Sequence, residues 1–288
     1  MKPEKQNQHK IPQVYLKQFG YLDMNNQWRI SAIRRGEKFT RQKSIESFYS
    51  VTSIFDVESD DPIIPRMFEQ LNCDLETEYN NIIAELESDG TLSNKSYAYL
   101  LQLIADLIVR SDYWRDWILD MLNNENKENF LQLILGHHCE DFAEFKNIKQ
   151  QPFFRILSES PPSEIVNRVL IYFIDHLMLR LWQYDITFIQ SQKYKPWFTS
   201  TNPVVIHNRT ENNEILAKES ELYFPLSPKF LAYVHFKDSK DKENQLRYLT
   251  TNKIHIATDE QNSNLQNTIM KNPSDFVIFA GEFKYRME

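Results

Sequence analysis

Glycine is scarce in this chain. Gly20, Gly36, Gly90, Gly136 and Gly281 are the five among 288 residues, and no two are close in sequence. A phosphate loop or dinucleotide fingerprint needs clustered glycines so that the backbone can approach phosphate. Those architectures are excluded. Cysteine is scarcer still: Cys73 and Cys139 are too few for a disulfide framework and suit a reducing compartment, so a cytoplasmic location is expected. Long apolar runs are also missing. The most apolar stretches, 97–109 and 169–182, are interrupted by Asp106 and by Asp175, His176 and Arg180. Neither supplies the ~20 apolar residues of a membrane-spanning helix. Residues 1–10 are polar and lack the apolar core of a signal peptide, so no membrane partner is expected. Positive charge is not in excess either. The formal net charge of −7 argues against a wholly basic nucleic-acid coat.

What is present is an ordinary globular composition, 41% hydrophobic and 25% charged, with 13% aromatic residues for core area and stacking. The expected class is α+β in a single domain, 1–288. An N-terminal hairpin segment (1–60) and a strand-rich C-terminal segment (193–288) share one mixed sheet, packed beside a block of four to six helices (61–192).

The patterning supports this division. Trp28-Arg29-Ile30-Ser31-Ala32-Ile33 alternates apolar and polar residues as a half-buried strand does, between turns at Asn25-Asn26 and Arg35-Gly36-Glu37. From about 62 to 190 the period is helical. Phe68, Leu71, Leu75, Tyr79, Ile82 and Leu86 mark one helix face, and Tyr97, Leu100, Leu101, Ile104, Leu107 and Ile108 mark another. Tyr113, Trp114, Trp117, Ile118 and Met121 begin a further helix, and Pro161-Pro162-Ser163-Glu164 starts a long one. Beyond 194 strands are expected at 196–200, 204–207, 230–236 and 276–280, with exposed loops at 208–221 and 237–247. Thr258 and Gln261 form a capping box for a helix near 259–271.

Several segments, in order, resemble the bacterial domain-of-unknown-function 4238 family. They are His9-x-x-Pro12-x-x-Tyr15-Leu16-x-x-Phe19, Lys43-Ser44-Ile45 with Phe48-Tyr49, residues 68–76 ending on Glu76, and Arg110-Ser111-Asp112-Tyr113-Trp114-Arg115. Phe198-Thr199-Ser200-Thr201-Asn202-Pro203-Val204, Phe224-Pro225-Leu226-Ser227-Pro228, and Asn267 followed by Phe276-Val277 complete the series. One position departs: Thr201 stands where the family usually has aspartate. Some members sit in phage-defence gene neighbourhoods, so the resemblance implies a role in antiviral defence.

Each candidate residue has a chemical and a structural reading. His9 is a general base, with an ordinary pKa of about 6.5, or an anchor for the N-terminus. Thr199, Ser200 and Asn202 bind phosphate or position a water at a strand end, or close a turn on their own backbone. Ser200 as nucleophile would need an adjacent base. Ser227 is a ligand or a turn residue. Arg110 and Arg115 clamp a phosphate, or pair with Asp106, Asp112 or Asp116. Arg29, Arg34, Arg35, Lys38, Arg41 and Lys43 form a polyanion site or a solvated hairpin face. His137-His138-Cys139-Glu140-Asp141 has the residue types of a metal site, but neighbours on a helix diverge and no second cluster supplies partners. It reads as helix C-terminal charge, and no metal is expected. Glu282-Phe283-Lys284 resembles a nuclease strand if both charges share one face.

The leading expectation is a site where the chain ends meet, with His9, Tyr15, Ser200 and Asn202 catalytic and Arg110, Arg115, Thr199, Ser227 and Asn267 binding. The protein would be a defence effector acting on nucleic acid or nucleotide, a nuclease or other phosphodiester-directed hydrolase. The alternative is a non-enzymatic sensor that recognises a viral or host protein. The sequence names no cofactor and no oligomeric state.

Overall fold

The structure, a computed structural model, describes residues 7–57, 67–207, 216–237 and 244–284, with backbone alone at 67–69, 71 and 72. The expected core positions Phe68 and Leu71 therefore lie outside the described side chains. The N-terminal segment holds β1 (Asn7–His9), α1 (Gln13–Phe19), β2 (Tyr21–Leu22), β3 (Trp28–Arg34), β4 (Arg41–Ser44) and β5 (Ser50–Thr52). Helices α2 (Met67–Ser88), α3 (Asn94–Arg110), α4 (Asp112–Asn123), α5 (Lys127–Leu135), α6 (Phe142–Asn147), α7 (Pro152–Glu159) and α8 (Pro162–Leu181) follow. The remainder comprises β6 (Tyr184–Gln190), β7 (Thr199–Ser200), β8 (Val205–His207), β9 (Glu221–Pro225), β10 (Phe230–Phe236), β11 (Ile254–Ile256), α9 (Asp259–Lys271) and β12 (Phe276–Phe279).

The chain is an α+β protein, and its two ends do share a sheet. That sheet is antiparallel, in the order β2-β3-β12-β7 with β4 also on β3. Val277 of β12 lies between Ile33 and Ser200. The other C-terminal strands form a second, mixed sheet, β11-β6-β10-β9-β8, in which β11 runs parallel to β6. β1 and β5 make a separate two-stranded ladder.

Helix α3 is the centre of the helical block. Ser93 caps it by accepting from the Ser96 amide, and Leu100 through Arg110 are buried with the exception of Gln102. A helix apolar on nearly every face must be covered on nearly every face; α2, α4 and α8 pack against it or its neighbours. The block and the second sheet share the main core, from Leu100 and Phe173 to Phe188, Phe224 and Phe230. Burying each such side chain is worth roughly 1.5–3 kcal/mol. A smaller core on the sheet's other side joins Trp197, Leu231, Tyr233, Leu265 and Ile269 of α9. β10 is thus buried along its whole length, as its apolar run predicts.

Three expectations need correction. The helical period does not reach 190: Tyr184–Gln190 is strand β6, its Ile186, Phe188 and Ile189 covered on both faces by the two cores. Residues 216–221 are not an exposed loop. Leu216, Ala217, Ser220 and Glu221 are buried, while 208–215 lie outside the described residues. Within 237–247, positions 238–243 lie outside them too, and Leu246 is buried in a short turn, Gln245–Tyr248.

Candidate functional site

Tyr15 is the pivot of the expected site. The α1 helix opens after Pro12 and stops at Gly20, where a Cβ would come within 2.9 Å of the Arg29 carbonyl. Tyr15 lies deep in the core, stacked on Phe224 at 5.5 Å and edge-on to Tyr79 at 5.9 Å. Its hydroxyl donates to the Pro225 carbonyl (2.8 Å) and accepts from the Thr199 hydroxyl (2.5 Å). Burial drives the phenol pKa far above its ordinary value, so it stays protonated. Tyr79 donates to the Leu226 carbonyl, and Ser227 Oγ accepts the amides of Lys229 and Phe230 at 3.2 and 3.1 Å. The Pro225-Leu226-Ser227-Pro228 turn is therefore held by two tyrosines and by its own serine.

Residues 200–202 close on themselves in the same way. Ser200 Oγ donates to the Asn202 carbonyl (2.8 Å) and accepts its amide (3.2 Å). Asn202 Nδ2 donates to Pro273, and Asn272 donates back to the Asn202 carbonyl. Thr201 Oγ1 accepts the amides of Asp275 and Phe276 at 3.0 and 3.1 Å, which sets the entry to β12. An aspartate carboxylate accepts amides in the same manner, so threonine at 201 replaces an acceptor with an acceptor.

His9 is half-buried. Its Nε2 meets the Gln13 amide nitrogen at 2.7 Å, so the imidazole accepts there, and its carbonyl takes a hydrogen bond from Arg110. Burial lowers its pKa against the pull of the Phe48 carbonyl, and the charge of Arg110 lowers it further. Arg110 also pairs with Asp106 at 3.2 Å, with both side chains almost wholly buried. Burial raises the Asp106 carboxyl although Arg110 opposes it, and nearby Glu76 on α2 is raised by burial as well. Arg115 donates to Asn167 (2.9 Å), which donates to the Asp56 carbonyl (2.6 Å). Gln8 completes this link by donating to the Asp56 carboxylate and accepting the Phe55 amide. Both arginines thus hold the N-terminal segment against the helices. Asn267 stands exposed on α9 and joins none of these bonds.

The junction contains residues that sequence reasoning passed over. Lys10 pairs with Asp112 at 2.5 Å, and the Tyr49 hydroxyl lies 2.5 Å from Asp112 and 3.0 Å from Asp275. This chain of contacts runs from beside His9 to Thr201. Burial and the two carboxylates raise the Tyr49 phenol far above its usual range. Tyr49 also has φ +56°, a conformation that strains a bulky residue. A second unforeseen centre is Glu221, which accepts from Tyr223, Tyr233, Asn244 and Arg247 at 2.7–2.9 Å. Burial raises its carboxyl, but the donors from Tyr223, Arg247 and Tyr233 outweigh that and hold it below the usual range. No pattern around Glu221 announces this, because all its donors but Tyr223 come from β10 and the segment at 244–247.

The other charged motifs resolve locally. Arg29 pairs with Asp23, Arg41 with Glu37, and Arg35 donates to carbonyls of Met270, Asn272 and Ser274. Much of the hairpin's positive charge is thus engaged. Glu282 and Lys284 lie beyond the end of β12 and pair with each other at 2.7 Å, not on a strand face. His137 and His138 do gain a partner that the sequence did not name, Asp175 of α8. No described helix is long and apolar enough to cross a membrane.

A family model for a protein of unknown function (DUF4238) matches residues 7–282. The chain belongs to the DUF4238 family. The match to DUF4238 takes in every segment that builds the Tyr15, Thr201 and Arg110 contacts, as well as the helical block between them. No curated protein and no solved structure matches the chain.

Proposed function

We propose that this chain acts by recognition, as a non-enzymatic sensor in cytoplasmic antiviral defence that docks a viral or host protein on the outer face of α5 to α7. The observation that carries this reading is helix α7. It buries Phe154 and Leu157, yet Phe153 and Ile156, one step round the helix, are 45% and 56% exposed. Leu133 on α5, which packs on α7, and Phe142 on α6 are exposed as well. Large apolar side chains exposed on neighbouring helices are candidates for an interaction site, since aromatic and aliphatic anchors dominate protein interfaces.

The rival reading, an effector that hydrolyses phosphodiesters in nucleic acid or nucleotide, needs a free base or nucleophile among His9, Tyr15, Ser200 and Asn202. Tyr15 is buried and protonated, and Ser200 is bonded to the backbone two residues on. Those contacts favour recognition.

A phage-challenge assay in cells expressing the chain tests the choice. Phe153→Ser with Ile156→Ser is expected to abolish protection while the purified protein stays folded, and His9→Ala is expected to retain it. Loss of protection in a folded His9→Ala variant, with the surface variant fully protective, would reverse the assignment.

A further inference from the structure

We propose that His137, His138 and Asp175 form a binding site for a divalent transition-metal ion of the zinc class. One ligand atom from each of the three residues lies within 4.8 Å of the others. Ligand atoms held about 2.05 Å from a tetrahedral ion stand roughly 3.3 Å apart, so small side-chain rotations close the set. Two imidazoles and one carboxylate are ligands suited to zinc, cobalt or nickel and leave a position for water.

The local fold makes the adjacent histidines converge. After α5 the chain tightens into a 3-10 turn over Gly136–His138, and the two rings come to 3.9 Å between centroids. Gly136 is required there: a Cβ would stand 2.4 Å from the ring of Phe145, which packs over the turn. Asp175 arrives from α8, which lies against α5.

A second observation points to a ligand. Both ring nitrogens of His137 are buried, and the Ile134 carbonyl beside the ring can satisfy at most one of them. Buried polar atoms are nearly always partnered, and a metal ion would satisfy the nitrogen that faces away from Ile134. His138 and Asp175 are exposed, so an ion can enter from solvent. Once bound, it would tie the end of α5 to α8. This site lies in the same helical block as Phe153 and Ile156, and it stands whether or not that face docks a partner.

The test is equilibrium dialysis of the chelator-treated full chain against Zn²⁺, with Co²⁺ as a spectroscopic probe. The expected result is one ion per chain, visible ligand-field bands for Co²⁺, and a melting temperature raised by the metal. Asp175→Asn should weaken binding by about tenfold or more, and His137→Gln with His138→Gln should abolish it. Melting curves without metal establish that these variants fold. Absence of binding in the wild type would overturn the proposal. So would binding that persists unchanged when Asp175→Asn, His137→Gln and His138→Gln are combined, which would place the ion on other histidines such as His207 or His255.

Discussion

The two ends of the helical block differ in how their polar and apolar groups are satisfied. Where α1, α2 and α3 meet the chain termini, hydroxyls and guanidinium groups are bonded inward: Tyr15 to Pro225 and Thr199, Thr201 to the amides of β12, Arg110 to Asp106 and the His9 carbonyl. At the other end, Phe153 and Ile156 face solvent, and the Ile134 carbonyl can satisfy at most one of the two buried His137 nitrogens. The first region has the residue types of a catalytic site, with most of its polar groups bonded within the fold, although Asp106 Oδ1, Arg110 Nε and Asn202 Oδ1 are buried without a hydrogen-bond partner. The second has the residue types of a metal site beside apolar side chains that meet solvent. Residue type and bonding state therefore have to be read together.

The largest effect is expected from Arg110→Ala, because it leaves Asp106 buried without its partner. It should cost about 3–5 kcal/mol in urea unfolding, whereas a ligand-binding arginine would lose activity with stability retained. Next is position 201. Thr201→Val strips two amides of their acceptor and should cost about 1–3 kcal/mol. Thr201→Asp restores a carboxylate acceptor and should lose less, which the same denaturation curves measure. If valine and aspartate behave alike, the acceptor role is wrong.

Glu221 extends the comparison to pH. Its carboxyl is held below the ordinary range in the fold, so its contribution is complete above the unfolded value of about 4.3. That contribution is lost as pH falls through the lower folded value. The urea midpoint of the wild type should fall on the acid side, and Glu221→Gln should flatten that part of the profile. Asp106 and Glu76, raised by burial, act with the opposite sign and remain in both proteins. The smallest effect on stability belongs to the apolar face: Phe153→Ser and Ile156→Ser should each stay within about 0.5 kcal/mol of wild type. A larger loss would mean that these side chains support the core.

What the sequence reveals follows the range of the interactions. Helices α2, α3, α4 and α8 show through their 3.6-residue period while the shorter α5, α6 and α7 do not, and the Thr258–Gln261 capping box forms as expected because both partners are local. Strand β10 shows because a fully apolar seven-residue run has few other uses. Strand β6 is hidden because it follows α8 after Trp182-Gln183 with no glycine or proline to mark the break. The meeting of chain ends in one sheet is legible, but the bonding of Tyr15 to Thr199, 184 residues away, is not. For the same reason Asp175 beside His137, and Tyr233, Asn244 and Arg247 around Glu221, emerge only from the folded chain.

A double-mutant cycle on Tyr15→Phe and Thr199→Val bears most directly on the claim that the family's signature residues hold the fold. Each variant should lose about 1–3 kcal/mol in urea unfolding, with a coupling of at least ~0.5 kcal/mol between them. If both variants are as stable as the wild type and do not couple, these hydroxyls are not scaffold, and the account of this region fails.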